Sequence, residues 1–271
     1  MHTRLPTPAG AGPPQRGPVG LRPYALTIAG FDPSAGAGVL ADVKTLEANG
    51  VYGLGACTAL TVQNDVAFER VSWVALDDVQ DQIGLLLARF QVEVVKIGLI
   101  ESLPLLWKLI GWLKAQNPAV LIVWDPVLRA TAGYEFHPQP DRALLQRICA
   151  ELALITPNQP EVRRLWPAAS SAMAAAGALS AYCPVLLKGG HASGDLATDV
   201  LLTHDARHKL TAPRLPHGEK HGSGCVLSAA IAAQLALGHP LAEACRLGKA
   251  YTTQVLASND TLLGYHYQKQ S

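Results

Sequence analysis

Short apolar runs alternate with longer segments at helical spacing from residue 24 almost to the end of the chain. Residues 24–29, 54–60, 94–97, 120–124, 152–155 and 185–187 are apolar enough for buried strands. Segments 39–49, 77–90, 103–115, 223–237 and 241–257 repeat apolar positions at intervals of three and four, the spacing of one helix face. Gly50 ends the first of these as a C′ glycine. Residues 71–76 predict a short strand crossing near the others' ends. Residues 196–212 alternate apolar and polar around Asp205-Ala206, as a hairpin or a lid-like ribbon does. This order predicts an α/β fold, a three-layer α/β/α arrangement on a mostly parallel sheet with ligand loops at the strand C-termini.

Polar residues gather where the predicted strands end. The first runs into Gly30-Phe31-Asp32-Pro33-Ser34-Ala35-Gly36-Ala37-Gly38, a Gly-rich loop before a helix, without dinucleotide GxGxxG spacing. Asp42, one turn into that helix, either reaches back into a pocket or favours the positive helix end. Gln63 and Asn64 follow the second strand, placed to hydrogen-bond a small polar ring or to shape a turn. Asp125-Pro126-Val127 ends the most hydrophobic strand, as a catalytic carboxylate or an Asp-Pro turn. Thr156-Pro157-Asn158 then leads to Glu161, and a later strand ends in Lys188-Gly189-Gly190-His191.

His221-Gly222-Ser223-Gly224-Cys225 begins the next helix. A helix start directs unpaired N–H groups and a positive dipole end forward, and glycine lets an anion come close. Cys225 falls in the first turn, where that field predicts a lowered thiol pKa. The alternatives are an anion cradle holding an ionisable group, and a Gly-rich helix start around a small buried cysteine. Phosphoryl transfer needs N–H groups and cations around the transferred group, a carboxylate for magnesium and a means of losing the hydroxyl proton. The strand ends supply all of these without a GxxxxGK[ST] motif.

The 271 residues are 49% hydrophobic and 16% charged, enough for a large core. Lys+Arg 22 against Asp+Glu 21 leaves +1 and no basic stripe, so no nucleic-acid partner is expected. No apolar run of about 18 residues occurs, so no membrane span is expected. Residues 1–22, rich in Pro, Gly and Ala, read as a disordered tail, and 23–271 as a single domain. Cys57, Cys149, Cys183 and Cys245 are scattered in apolar surroundings, consistent with reduced core thiols and a cytoplasmic location.

The stretches at 25–45, 59–64 (ALTVQN), 95–99 (VKIGL), 125–127 (DPV), 155–161 (ITPNQPE), 186–191 (LLKGGH) and 221–225 (HGSGC) together resemble the hydroxymethylpyrimidine/phosphomethylpyrimidine kinases of thiamine biosynthesis, in the ribokinase-like superfamily. The resemblance implies ATP-dependent phosphorylation of 4-amino-5-hydroxymethyl-2-methylpyrimidine, and often of its monophosphate, with ATP and Mg2+ bound and a homodimer as the usual assembly. It implies that Gln63 binds the ring, with Asp42, Gly30 and Val127 in or near its pocket. Cys225 with Gly222, Ser223 and Gly224 would form the anion hole, the cysteine as proton acceptor or polar wall. Asn158 and Glu161 would hold the magnesium-nucleotide, Lys188 the ATP phosphates, and Asp125 would lie near the magnesium or its waters. Phe31, Leu99, Arg129 to Gly133, the shorter 166–184 segment and the C-terminal LLGYHYQKQS depart from the family pattern. A pyridoxal kinase and a non-catalytic pyrimidine-binding relative are the alternative readings.

Overall fold

The computed structural model describes residues 22–128, 141–189, 195–215 and 219–267. The expected tail up to residue 21, the altered 129–133 loop, and Gly190 and His191 lie outside the described residues. In chain order the elements are β1 (Tyr24–Phe31), α1 (Gly38–Ala48), β2 (Tyr52–Gln63), β3 (Phe68–Trp73), α2 (Leu76–Leu87), β4 (Val92–Ile97), α3 (Leu103–Gln116) and β5 (Leu121–Trp124). Then come α4 (Arg142–Ala150), β6 (Leu154–Ile155), α5 (Gln159–Leu165), α6 (Ala172–Leu179), β7 (Val185–Leu187), β8 (Leu196–Leu202), β9 (Arg207–Pro213), α7 (Ser223–Ala236) and α8 (Leu241–Leu256).

The described strands form one sheet in the order β3-β2-β1-β4-β5-β6-β7-β8-β9. The run from β2 through β7 is parallel, and β3, β8 and β9 join antiparallel at the two edges. The period of two along a strand sorts the side chains into two layers. Leu26, Ile28, Val95, Ile97, Ile122 and Trp124 pack with residues of α2 to α6 in the larger core. Val94, Val123, Leu154 and Leu186 face the other way, against α7 and α8. Each fully buried aliphatic side chain contributes about 1.5–3 kcal/mol by leaving water.

Several elements differ from the expectation. β2 is longer and runs through Gln63, because its pairing with β3 carries it beyond the apolar run. The β8–β9 hairpin is part of the main sheet through β7, since Leu201 and Leu202 are buried there, and is no separate lid. Helices α4 and α6 form where the sequence reading placed no element, capped by the Asp141 and Ser171 side chains. All five cysteines are free; Cys149, Cys183 and Cys245 are buried, whereas Cys57 keeps some exposed surface.

Gly50 and Gly222 are both left-handed, with φ of +80° and +71°, but only one is hemmed in. A Cβ on Gly50 would meet nothing, whereas one on Gly222 would lie 2.0 Å from the Gly36 carbonyl oxygen. Gly50→Ala therefore costs about 1–2 kcal/mol, the left-handed term alone. Gly222→Ala costs more than that, because the two turns must separate, and urea unfolding of the pair checks the difference.

Candidate active site

Gly222 caps α7 without a side-chain acceptor, and no acidic residue stands in the first turn. The N–H groups of Gly222, Gly224 and Cys225 have no acceptor among the described residues. Ser223 departs from its expected part: its N–H closes onto the Lys220 carbonyl at 3.3 Å, as the left-handed turn dictates. Cys225 is half-buried, and the Gly38 N–H donates to its sulfur. The expectation of a lowered thiol pKa is corrected. Burial pushes the thiol up to about 11, outweighing Lys96 and the Gly38 N–H, which favour thiolate. Cys225 is neutral near pH 7.

The layer facing α7 turns polar at its C-terminal end. Two residues beyond Val94, Val123, Leu154 and Leu186 stand Lys96, Asp125, Thr156 and Lys188. Lys188 Nζ donates to Asp125 Oδ1 at 2.8 Å and lies 3.7 Å from Glu161 Oε2. Thr156 Oγ1 donates to the same Asp125 oxygen, and Ser228 Oγ of α7 to the other. Burial raises Asp125, but Lys188 and Lys96 more than offset it and hold the carboxyl below its usual range. Glu161 goes the other way: burial and the Asp125 charge push it up to about 7 against the pull of Lys188. Asn158 and Glu161 form a capping box at α5, the Glu161 N–H donating to Asn158 Oδ1 and the Asn158 N–H to Glu161 Oε2. The Asn-x-x-Glu spacing thus has a structural use as well as a chemical one.

This donor set fits magnesium. Buried Asp125 and partly buried Glu161 share one ammonium, and the Asp125 charge adds to the effect of burial in raising Glu161. Among the described residues no three His, Cys, Asp or Glu side chains gather as a metal cage. Magnesium commonly uses one or two carboxylates together with phosphate oxygens.

Beside this polar row lies an apolar wall. Leu99 and Ala59 are buried with Val127, Phe68, Val71 and Trp73 against them. A Cβ on Gly30 would come 2.9 Å from Leu99 Cδ2, so glycine is what lets β1 approach that wall. Gly30 and Val127 thus meet through Leu99. Gln63, the last residue of β2, pairs in register with Phe68 of the wall. Asn64 is occupied locally, its Oδ1 accepting from the Val66 and Ala67 N–H groups, which selects the turn reading. Phe31 is exposed, while its carbonyl accepts from Thr61 Oγ1. Asp42 is corrected too. It is fully buried and accepts from Thr27 Oγ1 at 2.5 Å and Lys96 Nζ at 2.7 Å, so it holds Lys96 instead of opening onto a pocket or serving the helix end.

Sequence reasoning missed the supports of these loops. Asp32 Oδ2 lies 2.8 Å from His221 Nε2 and accepts from the Ala37 N–H, while Oδ1 accepts from the Ser34 N–H. Burial raises Asp32, and these bonds bring it below its usual range. Asp199 accepts from the Gly189 N–H and from Lys249 Nζ, each at 2.8 Å, tying the loop after β7 to α8. Lys220 Nζ donates to the carbonyls of Asn259 and Thr261, each at 2.5 Å, and to Asn259 Oδ1 at 3.1 Å. Lys96 gives no signal in the linear sequence, since it stands three residues from the exposed Glu93 in the same strand.

The family model described as Phosphomethylpyrimidine kinase matches residues 32–269. A hydroxymethylpyrimidine/phosphomethylpyrimidine kinase of Rhizobium meliloti (strain 1021) is 35% identical over 246 residues, covering 88% of this chain and 92% of its own. That of Escherichia coli (strain K12) is 34% identical over 249 residues, covering 88% and 92%. Among solved structures, the phosphomethylpyrimidine kinase of Clostridium difficile 630 superposes with a TM-score of 0.71 at 32% identity, covering 86% of this chain and 98% of that one. The pyridoxal kinase of Staphylococcus aureus in complex with ADP gives 0.80 at 26% identity, covering 93% and 96%. The likeness reaches across the sheet, the loops at its strand ends and the turn at Gly222, and the chain belongs to the phosphomethylpyrimidine kinase family, with a ribokinase-like fold.

Proposed function

We propose that the chain transfers the γ-phosphoryl group of ATP to the hydroxymethyl group of 4-amino-5-hydroxymethyl-2-methylpyrimidine, and then to the monophosphate, in thiamine biosynthesis. One observation carries this reading. A Cβ on Gly224 would lie 3.1 Å from Lys188 Nζ and 3.6 Å from Asp125 Oδ2, so the N–H cradle and the charged cluster share one place. Pyridoxal is the competing acceptor. The pyridoxal kinase likeness is one of fold at 26% identity, whereas pyrimidine kinase relatives reach 35%.

In this reading the ring lies on the Leu99–Val127 wall against Gly30 and is held at its edge by Gln63. Lys188 draws in the phosphates, and the N–H groups of Gly222, Gly224 and Cys225 take up charge on the transferred group. The hydroxymethyl oxygen bonds to the γ-phosphorus as the bond from that phosphorus to the ADP oxygen breaks. The transition state is loose, so the hydroxyl proton leaves late, to an oxygen of the transferred group, and no strong base is required. Cys225, neutral in the resting site, serves as a polar wall and S–H donor in place of the thiolate acceptor. Asp125 and Glu161 would hold magnesium, which when bound neutralises phosphate charge. Residues 23–271 act in this reading as one cytoplasmic kinase unit, with the homodimer inferred from the resemblance alone. Among the described residues no helix is long and apolar enough to cross a membrane.

ADP release with the free pyrimidine, its monophosphate and pyridoxal, each with magnesium or EDTA, tests the assignment. Turnover of both pyrimidines with magnesium is expected; turnover of pyridoxal alone would transfer the assignment to the competing acceptor. Cys225→Ala should lower turnover by at least about a hundredfold while the protein stays folded, because it removes a group at the reacting oxygens. Wild-type turnover in that variant would take Cys225 out of the chemistry. Gln63→Ala should weaken pyrimidine binding by roughly tenfold, the worth of a buried hydrogen bond, and leave the KM for ATP unchanged.

A further inference from the structure

Lys96 is a fully buried cation in β4, whose other charged residue, Glu93, is exposed. It stands on β4 with Thr27 of β1 on one side and Val123 of β5 on the other, fully buried on the face covered by α7. Val94, two residues earlier on that face, packs under Leu227 and Ile231. One step further along β4 comes beneath the first turn of α7, which carries Cys225. The backbone makes room for the ammonium, since a Cβ on Gly98 would come 2.9 Å from Lys96 Nζ.

An ammonium has three N–H donors. Asp42 Oδ2 takes one at 2.7 Å, and no other described residue accepts the remaining two. Asp42 is itself steadied by Thr27 Oγ1, while its second oxygen, Oδ1, has no partner. A buried ion pair of this kind is a weak source of stability, because an apolar pair of equal volume often does as well. A cation held by one bond, with two donors to spare beneath an anion-binding turn, is accounted for by the field it creates.

We propose that Lys96 is a positioning residue for phosphoryl transfer: held by Asp42 beneath the first turn of α7, its ammonium acts through Cys225 and steadies negative charge on the oxygens that meet there. This rests on the reading of Cys225 as part of the anion site. The groups that act electrostatically on the Cys225 sulfur are Lys96 from β4, Asp42 and the Gly38 N–H from α1, Asp125 from the end of β5 and Lys188 from the end of β7. Lys96 acts on the sulfur more strongly than Asp42 does. Removing the carboxylate alone and removing both charges therefore move the sulfur in opposite directions.

The test is the rate of Cys225 alkylation by iodoacetamide at one fixed pH, without nucleotide, in a Cys57→Ser background because Cys57 also keeps exposed surface. Asp42→Asn, which leaves the ammonium uncompensated, should speed alkylation. The double variant Lys96→Met/Asp42→Asn should slow it. Each change is expected to be about tenfold, the effect of one pKa unit on the thiolate fraction. The double variant should also lose about tenfold in kcat with its KM for ATP unchanged. It is preferred to Lys96→Met alone, which would strand the Asp42 charge in the core. Thermal unfolding identifies which variants are folded, and either one that folds decides the matter. Alkylation at the parent rate in a folded variant would overturn the proposal. Rates that move as expected in a parent protein that turns over no pyrimidine would uphold the coupling and remove the kinase reading instead.

Discussion

The carbonyl of Gly36 occupies the space that a side chain at residue 222 would need, and this close approach of two turns sets the geometry of everything around it. With no side chain between them, α1 and α7 begin from adjoining points, and their N-terminal N–H groups aim into one volume. The Gly38 N–H reaches the sulfur of Cys225 across that junction. Asp32 and His221 fasten it from behind, one from each turn. An anion entering there meets two helix starts at once, each with the partial positive charge of an unpaired backbone end.

The charges next to that junction are already paired in the ligand-free chain. Lys188 is shared by Asp125 and Glu161, and Lys96 is held by Asp42. Isolated buried charges would be ruinous to a fold of ordinary stability, so internal pairing is what allows so many ionised groups behind one turn. The pairing is uneven. Asp125 accepts from a lysine, a threonine and a serine, whereas Glu161 lies at the margin of ionisation. The cluster is therefore arranged around a rigid carboxylate and an adjustable one.

Much of this was legible in the sequence, and the reason is periodicity. Strands such as 120–124 announce themselves by apolar runs, and the polar residue after each marks where the sheet opens onto the loops. The same period of two explains the row formed by Lys96, Asp125, Thr156 and Lys188: the last three follow strand ends, where polar residues stand out, and Asp125 and Lys188 are the two of them that the sequence offers as site residues. Lys96 sits inside its strand, and nothing in a linear reading separates a buried lysine from one on a solvated edge. The thiol of Cys225 shows a second kind of limit. Its place in the first helical turn was readable, but its degree of burial, which decides the sign of the shift, depends on β4, β5 and α1 together. Asp32 and His221 are 189 positions apart, a pairing no local pattern contains.

Lys220 has a consequence for how the chain tolerates being shortened or extended. Its ammonium rests among neutral oxygens of the turn at Asn259 and Thr261, and the very next residue, His221, opens the turn at Gly222. Removing the segment from Asn259 onward would leave a cation without these acceptors immediately before that turn. The stretch around Asn259 and Thr261 therefore acts as a buttress of the turn at Gly222. A domain inserted between 256 and 263 would pull directly on that support.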